Sequence, residues 1–361
     1  MYKKLFIPGP THVRDEILQE MAMPMIGHRF KEYADLQAQA TSKVQKLLYT
    51  ENVVFLFTSA SSGVMEGAVR NCVRDGQKTS PRKVLCAVNG AFGARWHEMV
   101  LANGKEADVL EVEWGQAVTP ELVEARLASG EYDALTMTHN ETSTGVMNNL
   151  YEIAEVMKKY PDVCWLVDAV SSMAGAKIEV DKLGIDVCIA GVQKAFALPP
   201  GLTVCSVSQK ALDRANEVKN RGWYFDFHVM LKYYHRNQTP ATPSISHIFA
   251  LNKQMDDILA EGLEARFQRH IDMAEFTRDW ARKHFDLYAN ERYLSNTLTT
   301  VVNTRGLSVP ELNEALAEHG AVIGDGYGSL KGKIFRIAHM GDLTLDDMRW
   351  LTGLIEEIWN L

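Results

Sequence analysis

Short apolar runs rich in β-branched residues alternate with longer amphipathic stretches as far as about residue 207. Residues 53–58 (Val-Val-Phe-Leu-Phe-Thr) read as a buried strand. The polar turn 59–63 follows. Val64, Met65, Ala68, Val69 and Cys72 then recur at helical spacing, predicting a helix over 64–73. Further strands are expected at 83–88, 108–112, 133–138, 163–167, 186–190 and 202–207. Helices are expected from 89–93 through Leu101, at 120–127 and at 150–159. This alternation predicts an α/β fold with a mostly parallel seven-stranded sheet covered on both faces. The link 193–202 is too short for a helical crossover, so the seventh strand is expected to run antiparallel. In such sheets ligands sit beyond the carboxyl ends of the strands.

After about residue 245 the pattern changes. Helical periodicity dominates 248–284, followed by a strand at 297–304, a helix at 310–318, a Gly-rich loop at 324–332, a strand at 333–338 and a helix from Leu345. The expected division is an N-terminal segment 1–15, a large domain 16–245 and a smaller α+β domain 246–361, with 228–243 as connector.

Composition narrows the function classes. The 361 residues are 46% hydrophobic and 23% charged with a net charge of −8, which suits a folded globular chain rather than a disordered one. No Lys/Arg block points to nucleic acid or to an anionic membrane surface, and no run of eighteen apolar residues exists. The five cysteines are odd in number and form no C-x-x-C pair; they read as small buried hydrophobes in a reducing compartment, and a cytoplasmic protein is expected. The eleven histidines show no metal-ligand spacing.

Candidate chemistry lies in the loops after the strands. Ser59–Gly63 sits between a strand and a helix start, where free N–H groups, hydroxyls and the helix dipole suit a phosphate; a plain serine cap would look the same. No Gly-Lys-Ser/Thr follows, and residues 90–93 lack the G-x-G-x-x-G spacing of a dinucleotide site. Asp168 closes a strand, as a turn former or as a functional carboxylate. Lys194 lies in the apolar run 188–198, where a lysine either snorkels or loses its charge, as a Schiff-base lysine must. A phosphate cradle, a strand-end Asp and a desolvated Lys together form the set that pyridoxal 5′-phosphate (PLP) requires.

At this point the chain resembles the class V aminotransferases, PLP fold type I, and within them the alanine–glyoxylate/serine–pyruvate branch. The resemblance runs from Pro8-Gly9-Pro10-Thr11 to residues 332–337. It is carried by His139-Asn140-Glu141-Thr142-Ser143-Thr144-Gly145, by Val167-Asp168-Ala169-Val170-Ser171-Ser172, and by Gly191-Val192-Gln193-Lys194-Ala195. It implies that Lys194 is the Schiff-base lysine and proton-shift base and that Asp168 pairs with the pyridine nitrogen. Val170 and Phe92 are implied to flank the ring, and Thr142 to reach its 3-oxygen. Ala60, Ser61, Ser62 and Gln193 are implied to hold the phosphate. Thr239, or Thr242 across a nearby gap, would reach the phosphate of a neighbouring subunit, which implies a homodimer with shared sites. Arg336 is implied to grip the substrate α-carboxylate, a task suited to a guanidinium fork. Gly9 and Arg29 fall on substrate-facing positions.

The resemblance implies ping-pong transfer from alanine or serine to glyoxylate or pyruvate. Residues 27–32 also resemble a piece of the phosphoserine aminotransferases, so Arg29 either binds a second anionic group or organises the subunit interface. A 2-aminoethylphosphonate enzyme and a non-catalytic complex subunit are the remaining alternatives. Sulfur transfer is disfavoured because no cysteine follows Cys205.

Overall fold

The computed structural model describes residues 3–76 and 82–361. The large sheet has seven strands in the order Val53–Phe57, Thr203–Val207, Val187–Gly191, Cys164–Asp168, Tyr132–Thr138, Lys83–Val88 and Ala107–Glu111. Only Thr203–Val207 runs antiparallel to its neighbours, and the short link before it is the reason. Both faces are covered, so the central strands are largely apolar. In Cys164–Asp168, Trp165 and Val167 enter one core while Cys164 and Leu166 enter the other.

Helices Lys31–Leu48, Pro120–Leu127 and Leu150–Met157 pack on the first face. Ser61–Cys72, Ala91–Ala102, Gln209–Glu217 and Phe227–Tyr234 pack on the second. Ile245–Glu261 buries Ile248, Leu251 and Met255 in the first core as well, although the change in sequence texture falls before it. Among the described residues, no helix is long and apolar enough to cross a membrane.

A second, five-stranded sheet has the order Lys4–Phe6, Ala321–Asp325, Ile334–Ala338, Leu298–Val302 and Asp286–Leu287. Its first strand comes from the opposite end of the chain and pairs in parallel with Ala321–Asp325, Lys4 against Ala321. The N-terminal segment therefore belongs to this sheet and then crosses the interior of the molecule.

Several local expectations are revised. The helix expected at 64–73 begins at Ser61, so Ser61 and Ser62 form its first turn. The stretch 228–243 is not all connector: Asp226 accepts from the N–H groups of His228 and Val229 and starts the Phe227–Tyr234 helix. That helix packs Phe227 and Tyr234 on Phe55, with ring centroids 6.1 and 5.8 Å away. The helical stretch 248–284 is two helices, broken at Gly262, whose φ of +88° ends the first. The expected loop 324–332 begins inside the Ala321–Asp325 strand.

Candidate active site

The carboxyl ends of the parallel strands meet the crossing N-terminal segment around a cavity of about 170 Å³. Ala60, Ser61, Ser62, Phe92, Asp168, Val170, Gln193 and Lys194 all line it. These eight residues come from four separate stretches of sequence.

Lys194 lies just after the Val187–Gly191 strand. Its loop is pinned by Thr11, whose N–H donates to the Gln193 carbonyl (3.0 Å) and whose hydroxyl donates to the Lys194 carbonyl (3.0 Å). The buried Arg266 adds a bond to the Ala195 carbonyl (2.8 Å). The Lys194 ammonium donates to the carbonyl of Pro8. Gly9 has φ +120°, and a Cβ there would sit within 2.6 Å of Lys194 Cδ and Cε, so only glycine lets the segment pass this close. Loss of hydration, reinforced by the charge of Arg336 and opposed by Asp168, brings the Lys194 amine down to about 8.

Asp168 ends the Cys164–Asp168 strand and is 4% exposed. Its Oδ1 accepts one backbone N–H, from Val170 at 2.9 Å. Burial pushes its carboxyl up to about 7; the Val170 bond and the charges of Lys194 and Arg95 oppose the shift, and the nearby Glu141 adds to it. Such a carboxyl is poised to pair with a protonated ring nitrogen.

Ala60, not a serine, occupies the N-cap of the Ser61–Cys72 helix, and no side chain caps its first turn. The plain serine cap is thus absent, and the uncapped end faces the cavity, which suits a phosphate. Phe92 stands in the first turn of Ala91–Ala102. Its N–H and that of Gly93 donate to Glu141 Oε2 at 2.9 and 3.2 Å, while Ser143 holds Oε1. Glu141, unassigned from sequence, therefore fixes the Phe92 ring.

Arg336 lies in the Ile334–Ala338 strand and is 9% exposed. Its Nε donates to the Asp325 carbonyl (2.8 Å) and its Nη1 to the Thr142 carbonyl (2.9 Å). The two bonds orient the fork and leave Nη2 unpartnered among the described residues. Thr142 is buried and joined to Arg336 by its carbonyl, and neither residue is among those that line the cavity.

Arg29, Thr239 and Thr242 are not brought into this cavity. Arg29 donates to the carbonyls of Thr239 (2.6 Å) and Pro240 (3.1 Å) and lies over the Tyr233 ring. Thr239 and Thr242 line a separate small cavity with Phe57, Thr58 and Tyr224. His139 is buried, with Nδ1 bonded to Ser172 Oγ at 2.8 Å.

Arg95 also lines the Lys194 cavity and was missed from sequence. Its signal was its place three residues after Phe92, on the same helical face. The five cysteines are all buried.

The residues present fit PLP: a desolvated lysine, a carboxyl raised by burial, an aromatic platform and an uncapped helix start converge on one cavity. Comparison with known proteins agrees. Residues 12–337 match the family described as aminotransferase class-V. An uncharacterised aminotransferase of Methanocaldococcus jannaschii is 41% identical, the match covering 94% of this chain and 88% of that protein. The small subunit of a soluble hydrogenase from a Synechococcus strain is 34% identical, over 93% and 88%. An L-aspartate–glyoxylate aminotransferase of Paracoccus denitrificans is 34% identical, over 97% and 89%. Among solved structures, an alanine–glyoxylate aminotransferase from Nostoc superposes with a TM-score of 0.93 at 26% identity, covering 99% and 96% of the two chains. The chain belongs to the class V aminotransferases, PLP-dependent transaminases of fold type I.

Proposed function

We propose that the protein transfers an amino group from a small amino acid, alanine or serine, to a small 2-oxo acid, glyoxylate or pyruvate, in two ping-pong half-reactions. The observation that carries this reading is that Lys194 and Asp168 line one cavity while Arg336 stands near enough for its charge, like that of Asp168, to shift the lysine. The glyoxylate aminotransferases among its relatives support the choice of small substrates.

When bound, PLP supplies a ring that accepts the electron pair released at the substrate α-carbon. This chain's residues do the rest. Ser61, Ser62 and Gln193, with the N–H groups from Ala60 onward, hold the phosphate. Phe92 and Val170 flank the ring, and Asp168 keeps the proton on its nitrogen. Arg336 grips the α-carboxylate through Nη2 and so turns the α-hydrogen toward Lys194. The Lys194 amine, neutral above about pH 8, takes that proton and returns it on the cofactor side. Gly9 and the Pro8 carbonyl pack against the lysine on one side. Thr239 and Arg29 face away from their own cavity, which supports their serving that of a second copy in a homodimer.

The test is an absorbance titration of the holoenzyme with alanine, serine, glycine, glutamate, phosphoserine and 2-aminoethylphosphonate. Bleaching of the visible band by alanine or serine, and its return with glyoxylate, is expected. A band moved by no donor overturns the reading in favour of a complex subunit, a role for which the hydrogenase relative offers a precedent.

A further inference from the structure

The reaction as read above leaves one buried carboxylate unused. Glu141 is fully buried, and no cation lies within ion-pair distance of it among the described residues. Four donors hold it instead. The N–H groups of Phe92 (2.9 Å) and Gly93 (3.2 Å) meet Oε2, and the N–H (3.0 Å) and hydroxyl (2.6 Å) of Ser143 meet Oε1. The Ser143 hydroxyl also accepts the Ala91 N–H at 3.0 Å. The first three N–H groups of the Ala91–Ala102 helix are thus taken by the chain itself, whereas the start of the Ser61–Cys72 helix has no side-chain cap. Gly90 gives Glu141 its path, since a Cβ there would overlap Glu141 Cγ and Cδ. The residue type is dictated as well. A glutamine has one acceptor oxygen and would turn its amide donors against N–H groups, so only a carboxylate accepts all four bonds.

Glu141 stands on a short hairpin, Asn140–Glu141 against Val146–Met147. That hairpin is fixed at three points. The His139 N–H donates to the Asp168 carbonyl (2.8 Å), the Ser295 N–H to the Gly145 carbonyl (2.9 Å), and Arg336 Nη1 to the Thr142 carbonyl (2.9 Å). One segment therefore ties together the backbone of Asp168, the Arg336 fork and, through the Glu141 carboxylate, the backbone of Phe92. The charge of Glu141 is felt at Asp168 and at Arg336. Glu141 does not line the Lys194 cavity, whereas Phe92 does. Side chains bound the Phe92 ring as well: the Arg95 guanidinium lies 4.9 Å from its centroid, and Arg95 donates to the Tyr327 hydroxyl at 2.8 Å. Only Glu141 among them grips the backbone that carries the ring.

We propose that Glu141 is a positioning residue of the reaction, holding the Phe92 ring at one height and tilt against the cofactor ring and in register with Asp168. The proposal rests on the aminotransferase reading and adds to it a residue that acts from outside the cavity. The ring must keep its plane aligned with the bond that is broken, and a misplacement of about 1 Å costs on the order of 100-fold in rate.

The test reads cofactor geometry and turnover together. Wild type, Glu141→Gln, Phe92→Leu and the double variant are saturated with PLP. The visible circular dichroism of the bound cofactor is measured, with kcat and KM for the best amino donor. Glu141→Gln is expected to lower the ellipticity per bound cofactor, and to lower kcat about tenfold with KM within about twofold. In the Phe92→Leu background the same change is expected to move kcat by less than about twofold, because the platform it holds is gone. A merely structural role would lower the melting temperature and leave both readings in place. Unchanged ellipticity and kcat, or an equal loss in the two backgrounds, overturns the proposal. A loss confined to KM also overturns it, and assigns Glu141 to the Arg336 fork through Thr142. Should Glu141→Gln fail to hold its cofactor, Glu141→Asp, which keeps the charge and draws it back by one methylene, goes through the same cycle with the same outcomes. If no amino donor moves the band, the aminotransferase reading falls, while the ellipticity of the four proteins still decides for or against Glu141.

Discussion

The larger of two cavities, about 420 Å³, lies between the Leu150–Met157 and Leu263–His284 helices and is lined by Tyr151, Lys177, Gln268, Arg292 and Asn296. The smaller, about 170 Å³, surrounds Lys194. In the larger one the charges are already matched: Lys177 pairs with Glu264 at 2.7 Å and Arg292 with Glu152 at 2.8 Å. His139 also lines it, but burial lowers its imidazole to about 3, so it stays neutral. In the smaller one Lys194 and Arg95 have no ion-pair partner among the described residues, nor has Arg336 nearby, and Asp168 is raised to about 7. Space alone does not mark a reacting site. Desolvated charges that the chain leaves unpaired do, because a ligand can supply what the protein withholds.

The sharpest way to break this contrast is at its centre. Lys194→Ala is expected to lower transamination by more than about 1,000-fold while the chain keeps its circular dichroism spectrum and melting profile. Retained turnover in a donor–acceptor assay would move the chemistry elsewhere.

Arg336→Ala comes next. Loss of a charge-assisted carboxylate contact of about 2–3 kcal/mol corresponds to a roughly 30- to 160-fold rise in KM for the amino donor. PLP affinity, followed by absorbance, should change far less. If both fall together, Arg336 serves the cavity's shape rather than the substrate.

A smaller effect is expected from pH. The free Lys194 amine, not its ammonium form, attacks an aldehyde, so a value near 8 means that capture of added PLP by the apoprotein accelerates from pH 6.5 to 8.5 and then levels. An ordinary lysine at 10.5 would keep accelerating to pH 10, and stopped-flow absorbance distinguishes the two curves. The smallest effect belongs to the larger cavity: Lys177→Ala is expected to leave kcat/KM within about twofold, as for most surface substitutions. A loss there comparable to that of Arg336→Ala would erase the distinction between the cavities.

How much of this was legible depended on where the cause lies. The seven strands showed in the sequence because two covered faces demand continuous apolar runs. Trp165 and Leu166 point opposite ways, yet both are buried. Lys194 and Asp168 stood out for the converse reason, as charges set at the ends of such runs. The Phe227–Tyr234 helix was obscured by the prolines at 240 and 243, although Asp226 carried its start signal. Lys4–Phe6 could not be read as a strand, because its three residues have meaning only beside Ala321–Asp325. Glu141 and Arg95 escaped for the same reason: their partners, Phe92 and Tyr327, lie 49 and 232 positions away.

The Lys4–Phe6 strand has a consequence for how the molecule is made. Its sheet partner lies beyond residue 320, and the Lys4 ammonium bonds to Asp347, 343 positions along the chain. A nascent polypeptide can build the seven-stranded sheet early, because its strands all precede residue 208. The strand that leads into the Pro8–Gly9 segment beside Lys194 cannot pair until residues 321–325 have left the ribosome. The Lys4–Phe6 strand thus waits for a sheet partner made more than 300 residues later.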